Sequence, residues 1–213
     1  MTSNTVSAPR LDTFISSPPV TSEPRLRVFL ARVCAMPDLH CRFLNTLSLL
    51  EHIGSRKIMA TQGAALCGDT LRHLAEEARH AWFFKHHAET AAGHALAYDA
   101  AGIMAGPQAR AYMARLDAKI ARAASGQRAY LYMSLVIELR AVWFYRIYQE
   151  VLTASGKTIK LGALLAEEDR HLEEMQDQLT ALGEDLAAQL PDFTAYEDRL
   201  YSNLLSALER STP

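Results

Sequence analysis

The chain has 213 residues, enough for one domain that buries roughly two thirds of its unfolded surface without disulfide help. Its net charge is −2, from 22 basic and 24 acidic residues, so it lacks the basic excess that nucleic acid or an acidic membrane surface would attract. Ala and Leu (34 and 29 residues) far outnumber Val and Ile (7 and 8), which points to helices and leaves little material for sheets, while three cysteines without C-x-x-C spacing argue against a disulfide framework or a zinc knuckle.

Residues 1–22, rich in Ser, Thr and Pro, read as a flexible arm ahead of a single helical domain over 23–210. A short helix is predicted over 23–35, ending before Pro37. A long one follows over 38–61, with Asp38 as its N-cap and Gly63 past its end. Its stripe is Leu44, Leu47, Glu51, Gly54 and Ile58, which is helical spacing with an acid where an apolar residue is expected. The next helix covers 69–93. Turn residues without a period then lead to a short helix over 108–123. A third long helix occupies 127–154, closed by Gly156. The fourth runs over 158–182 on the stripe Leu161, Leu164, Leu165, Glu168, His171, Leu172, Met175, Leu179 and Leu182, stopped by Gly183. Pro191 opens a last helix to about residue 210. Short connections join the long helices in two pairs, and roughly thirty residues separate the pairs. Two helical hairpins joined by one long crossover differ from a simple up-and-down bundle. No apolar run reaches transmembrane length, and the N-terminus lacks a basic-then-apolar order, so a cytoplasmic, soluble, all-α protein is expected.

One local repeat carries chemistry. LAEEARH at 74–80 recurs as LAEEDRH at 165–171. Each copy holds Glu-x-x-His, namely Glu77 with His80 and Glu168 with His171. At this spacing a carboxylate and an imidazole leave one helix face about a turn apart, so both can reach one pair of metal ions. Each copy is preceded by a helix with a solitary acid. Glu51 is the only acid between Asp38 and Asp69, and Glu138 the only one between Asp117 and Glu150. Glu138 lies in YLYMSLVIELRAVWFY, where an unpaired carboxylate would cost several kcal/mol. Arg140 stands on the far side of that helix and leaves it uncompensated. The spacings Glu51 to Glu77 (26 residues) and Glu138 to Glu168 (30 residues) both suit a hairpin of long helices. Four carboxylates and two divalent cations sum to neutrality.

The pattern E…E-x-x-H…E…E-x-x-H with its long crossover resembles the ferritin-like di-iron carboxylate superfamily over about residues 40–182. The resemblance implies a ferritin-like four-helix bundle with extra N- and C-terminal helices. It implies Glu51, Glu77, His80, Glu138, Glu168 and His171 as metal ligands. AEEARHAWFFKH at 75–86 is similar to a rubrerythrin helix, although no paired C-x-x-C supplies a rubredoxin domain. The frames E-E-A-R-H and E-E-D-R-H resemble the D-E-x-R-H frame of bacterial multicomponent monooxygenases. By that likeness Glu76 and Glu167 orient the imidazoles, and Arg79 and Arg170 hold those two acids. Within each Glu pair, Glu76 or Glu167 is the other candidate ligand.

His73 and His87 fall on the stripe of His80, at offsets of −7 and +7. They read as histidines at the ends of the bundle, with an additional ligand as the other reading. His40, His52, His86 and His94 read as surface residues. Tyr130, Tyr132 and Tyr145 read as core residues with satisfied hydroxyls, with a bond to a ligating carboxylate or a redox role as the other reading. Gly54 either leaves room beside the metals or eases helix packing.

The resemblance implies two iron ions, with manganese acceptable at one or both positions. It implies an oxidoreductase that activates dioxygen or hydrogen peroxide to oxidise or hydroxylate a small organic substrate, with electrons from a separate donor. Rubrerythrin-like peroxide reduction uses the same ligands. Iron storage is the non-enzymatic reading, and there a 24-subunit shell is expected rather than a monomer or homodimer. The di-iron enzymes that hydroxylate tRNA share the symmetric motifs, but a pI of about 6.4 offers no overall basic surface for such a substrate.

Overall fold

The computed structural model of the protein describes residues 22–62 and 67–212, which form seven helices and no strand. They are α1 (Ser22–Ala35), α2 (Pro37–Gln62), α3 (Gly68–Ala92), α4 (Gly106–Ile120), α5 (Gly126–Ala154), α6 (Gly162–Ala181) and α7 (Leu186–Arg210). None of them is long and apolar enough to cross a membrane. Of the arm expected over 1–22, only Ser22 is among the described residues; it opens α1 and is buried. Gly63 lies outside them.

Several helix boundaries depart from the sequence reading for local reasons. Met36 alone separates α1 from α2. The His40 N–H bonds the Met36 carbonyl at 2.9 Å, so the cap is Met36 rather than Asp38. Pro37 takes the first helical position, where its missing N–H costs nothing, and Asp38 joins the first turn. Helix α4 spans Gly106–Ile120 rather than 108–123, with Pro107 in its first turn. Helix α6 starts at Gly162 rather than 158 because the Gln149 side chain takes the Leu161 N–H at 2.6 Å. Helix α7 starts five residues before Pro191. There the Asp185 side chain caps the Ala188 N–H, and buried Leu186, Leu190 and Phe193 carry the apolar face across the one donor that proline removes. Gly156 and Gly183 do end their helices in the left-handed region, at φ 67° and 76°.

Helix α2 packs along α3, and α5 along α6. Contacts of α2 with α5 and of α3 with α6 close these pairs around one interior. Helix α1 lies against α2 and α5, while α4 packs on α2, α5 and α7. The crossover from α3 to α4 has no helical period because side chains of α2 and α3 hold it. Asn45 donates to the carbonyls of Ala97 and Gly102 at 2.9 and 2.8 Å, and Thr46 accepts the Met104 N–H at 2.8 Å. Gly102 is required there, since a Cβ would fall 2.1 Å from the Ala97 carbonyl oxygen. The crossover thereby fixes where α4 meets the α2–α5 side of the interior.

Candidate metal centre

The interior enclosed by α2, α3, α5 and α6 is where the repeated motifs meet. Helix α2 contributes Glu51, α3 Glu77 and His80, α5 Glu138, and α6 Glu168 and His171. The structure brings these six together and adds a seventh, His73 of α3. They fall into two sets, His73, Glu77, Glu138 and His171, and Glu51, Glu77, His80 and Glu168. Within each set the donor atoms lie within 4.8 Å of one another. Two donors on opposite sides of one cation, each at ~2.1 Å, would span about 4.2 Å. Glu77 belongs to both sets. Glu168 also reaches both halves, with one oxygen 3.1 Å from His80 Nδ1 and the other 3.1 Å from His171 Nδ1.

Glu76 and Glu167 stand outside both sets and grip the imidazoles from behind. His80 Nε2 donates to Glu167 of α6 at 2.7 Å, and His171 Nε2 donates to Glu76 of α3 at 2.7 Å. Arg79 pairs with Glu167 and Arg170 with Glu76, both at 2.6 Å. Each helix therefore supplies the acid that orients the other helix's histidine. This reciprocity is why the frame E-E-x-R-H occurs twice. With Nε2 bound outward, Nδ1 of each ring faces the carboxylates, and the tautomer carrying hydrogen on Nε2 leaves an inward lone pair.

Buried and crowded, the groups perturb one another strongly. Burial would push the imidazoles down, yet the surrounding carboxylates hold His73 up to about 11, His80 to about 10 and His171 to about 11. Burial and Glu77 would raise Glu138, but hydrogen bonds from His171 and His73 bring it down to about 2. Burial, then Glu77 and Glu168, raises Glu51; burial, then Glu138, raises Glu168. Protons on the imidazoles thus offset part of the carboxylate charge. Two polar atoms still face inward without a hydrogen-bond partner among the described residues, His80 Nδ1 and Glu77 Oε1. Each has a charged neighbour, Glu168 at 3.1 Å for His80 Nδ1 and His73 at 3.4 Å for Glu77 Oε1, but neither contact is an aligned hydrogen bond, which leaves both atoms open to a further binding partner. These oxygen and imidazole donors form groups that could hold a metal ion.

The other histidines distribute differently from the sequence reading. His73 is not at an end of the assembly. It is buried, with Nδ1 2.7 Å from the Tyr130 hydroxyl and Nε2 3.4 Å from both Glu77 and Glu138. The sequence carried a signal for it, H-x-x-x-E-x-x-H, with His73 one turn before Glu77. His87 stays outside both sets, half-buried against the edge of Phe83. His40 is not a surface residue: it is buried between α1 and α5, 2.6 Å from the Tyr148 hydroxyl. His52 is half-buried and stacked on Tyr98, while His86 and His94 are exposed.

Tyr145 donates to Glu51, which ties its hydroxyl to a residue of the cluster, whereas Tyr132 donates to Glu184 away from it. A Cβ on Gly54 would sit 3.1 Å from Glu77 Oε2 and would meet no other atom within 4 Å. Gly54 therefore makes room for the Glu77 carboxylate rather than for a neighbouring helix. Arg140 serves a separate network, which the sequence reading missed. It binds buried Glu197 through both oxygens at 2.7–3.1 Å and also pairs with Asp198, and Tyr112 donates to Glu197 at 2.6 Å. Comparison with protein-family descriptions, curated proteins and solved structures finds no match for this chain.

Proposed function

We propose that the protein is a di-iron carboxylate oxidoreductase of the ferritin-like kind, which activates dioxygen or hydrogen peroxide to oxidise a small organic substrate. The observation that carries this reading is the convergence of four carboxylates and three imidazoles in two sets that share Glu77, with His80 Nδ1 and Glu77 Oε1 facing inward without an aligned hydrogen bond. In it, Glu51, Glu77, Glu138, Glu168, His80 and His171 hold two iron ions, or manganese at one or both positions, and His73 adds a third nitrogen on the Glu138 side. When bound, such a pair supplies two-electron redox chemistry toward oxygen. The chain's own residues do the rest. Glu76 and Glu167 fix which imidazole nitrogen faces inward. Tyr145 orients Glu51 through its hydroxyl. Tyr130 orients His73. Leucine and aromatic walls keep bulk water from the carboxylates.

Electrons come from a separate donor in this reading. A cavity bordered by Glu51, Glu77 and Glu138 and otherwise walled mostly by Leu, Ile and Phe side chains favours oxidation of an organic molecule over peroxide reduction. Two helical pairs with a long crossover support the four-helix bundle architecture, and three unpaired cysteines suit a cytoplasmic setting. The test is aerobic titration with ferrous iron, counting iron that stays soluble and protein-bound. Saturation near two per chain, with one round of oxidation until a reductant is added, is the expected result. Retention of many tens per chain would replace this reading by storage.

A further inference from the structure

A cavity of about 100 Å³ opens beside the cluster. Glu51, Gly54, Glu77 and Glu138 border it on the cluster side. Most of the remaining wall is hydrocarbon, including Leu26, Phe29, Leu47, Ile137, Leu204 and Leu208. Helices α1 and α7, which supply no residue of the cluster, thus form much of this wall.

Most polar side chains in the wall are already engaged. Thr46 donates to the carbonyls of Arg42 and Met104 and accepts the Met104 N–H. Tyr112 donates to Glu197, and Tyr145 to Glu51. Arg140, the one cation there, is matched by Glu197 and Asp198, and the Tyr201 ring packs on its guanidinium at 4.3 Å. An anionic guest would lose its hydration beside the Glu51, Glu77 and Glu138 carboxylates with the one cation already matched, and a cationic guest would find those carboxylates neutralised once two divalent ions are bound, so the metal-loaded cavity strongly disfavours either. A hydrocarbon guest loses nothing of the kind. An apolar cavity of ~150 Å³ takes up benzene or xenon, so 100 Å³ corresponds to about one small ring or a short alkyl segment.

We propose that this cavity is the substrate chamber and that it takes a small uncharged hydrocarbon group, presented to the face of the cluster formed by Glu51, Glu77 and Glu138. The inference rests on the di-metal reading of that cluster.

The test uses benzene as the probe, with benzoate and benzylammonium as charged counterparts, on the full chain in metal-free and cobalt(II)-loaded forms. Benzene at ten times its dissociation constant should raise the thermal midpoint of the metal-free protein by about 3 °C. Benzoate should leave it unchanged, and neither charged analogue should perturb the cobalt form. In the cobalt form benzene should shift the visible absorption bands, because the guest lies against the ligands. Ala141→Phe, which fills the cavity, should remove both effects. Leu204→Ala, which enlarges it, should tighten benzene at least tenfold, and this keeps the test decisive if the phenylalanine variant fails to fold. Equal binding of benzoate, no benzene effect on either form, or benzene binding without any change in the cobalt bands would overturn the proposal. Failure to take up cobalt with a normal benzene shift would instead overturn the di-metal reading and leave an apolar cavity without a substrate role.

Discussion

Replacing Glu138 by glutamine removes a charge while keeping the shape of the side chain. In the metal-free protein Glu138 accepts from His73 Nε2 at 3.4 Å and lies 3.6 Å from His171 Nδ1. Those contacts bring its pKa from 4.5 down to about 2. At 1.36 kcal/mol per unit, the ionised form is favoured in the fold by roughly 3 kcal/mol, a contribution present above the unfolded pKa and lost as pH falls towards 2. Glutamine mimics the protonated form, so Glu138→Gln should destabilise the metal-free protein at pH 7 by about 3 kcal/mol in urea denaturation. It should also lose one of the two irons. Wild-type protein with iron at a thousand times its dissociation constant gains ~4 kcal/mol per site, a rise of about 8–16 °C in Tm that the variant should not fully reproduce. A glutamine variant as stable as wild type that still holds two irons would refute the assignment of Glu138 and the symmetry argument with it.

Three further outcomes are expected. Because His73, His80 and His171 hold their protons well above neutral pH, iron must displace them. Calorimetry in buffers of different ionisation enthalpy should detect at least two protons released per chain near pH 7, with affinity rising as pH rises; uptake without proton release would contradict the buried imidazolium picture. Glu167→Ala removes the acceptor of His80 Nε2 and should weaken iron binding about 10–100-fold while leaving two sites at saturation; unchanged affinity would show that the outer acid does not orient the ligand. Burial lowers His40 to about 4. The unfolded chain therefore takes up this proton first, and stability should fall by about 3 kcal/mol as pH drops from 6.5 to 4. His40→Gln should flatten that fall, and equal slopes in both proteins would exclude His40 as its source.

The all-helical class was legible from composition, and the pairing of Glu77 with His80 and of Glu168 with His171 from their spacing on one helix face, whereas the convergence of these four with Glu51 and Glu138 was implied by the resemblance of the whole pattern. The orienting role of Glu76 and Glu167 was implied by the likeness of their frame to D-E-x-R-H, with a ligand role as the other reading, and its reciprocal geometry requires two helices to be seen together. His73 was harder to place, since a histidine one turn before a ligand looks the same whether its helix end is wet or buried. The groups that compensate Glu138 were hidden for the same reason: His73 and His171 come from other helices. Helix starts at 162 and 186 depended on Gln149 and Asp185 capturing particular N–H groups, which periodicity does not encode. The cavity is a matter of how α1 and α7 lie on α5, and its leucines have no pattern of their own. Gly54 was ambiguous until its missing Cβ could be set against Glu77.

The most direct measurement is X-ray diffraction from crystals of the iron-loaded protein, recorded on both sides of the iron absorption edge. The account predicts two anomalous peaks per chain inside the seven-residue cluster, with Glu77 between them, one peak beside His80 and the other beside His171 and His73. A single peak, a peak elsewhere, or none at saturating ferrous iron would contradict it.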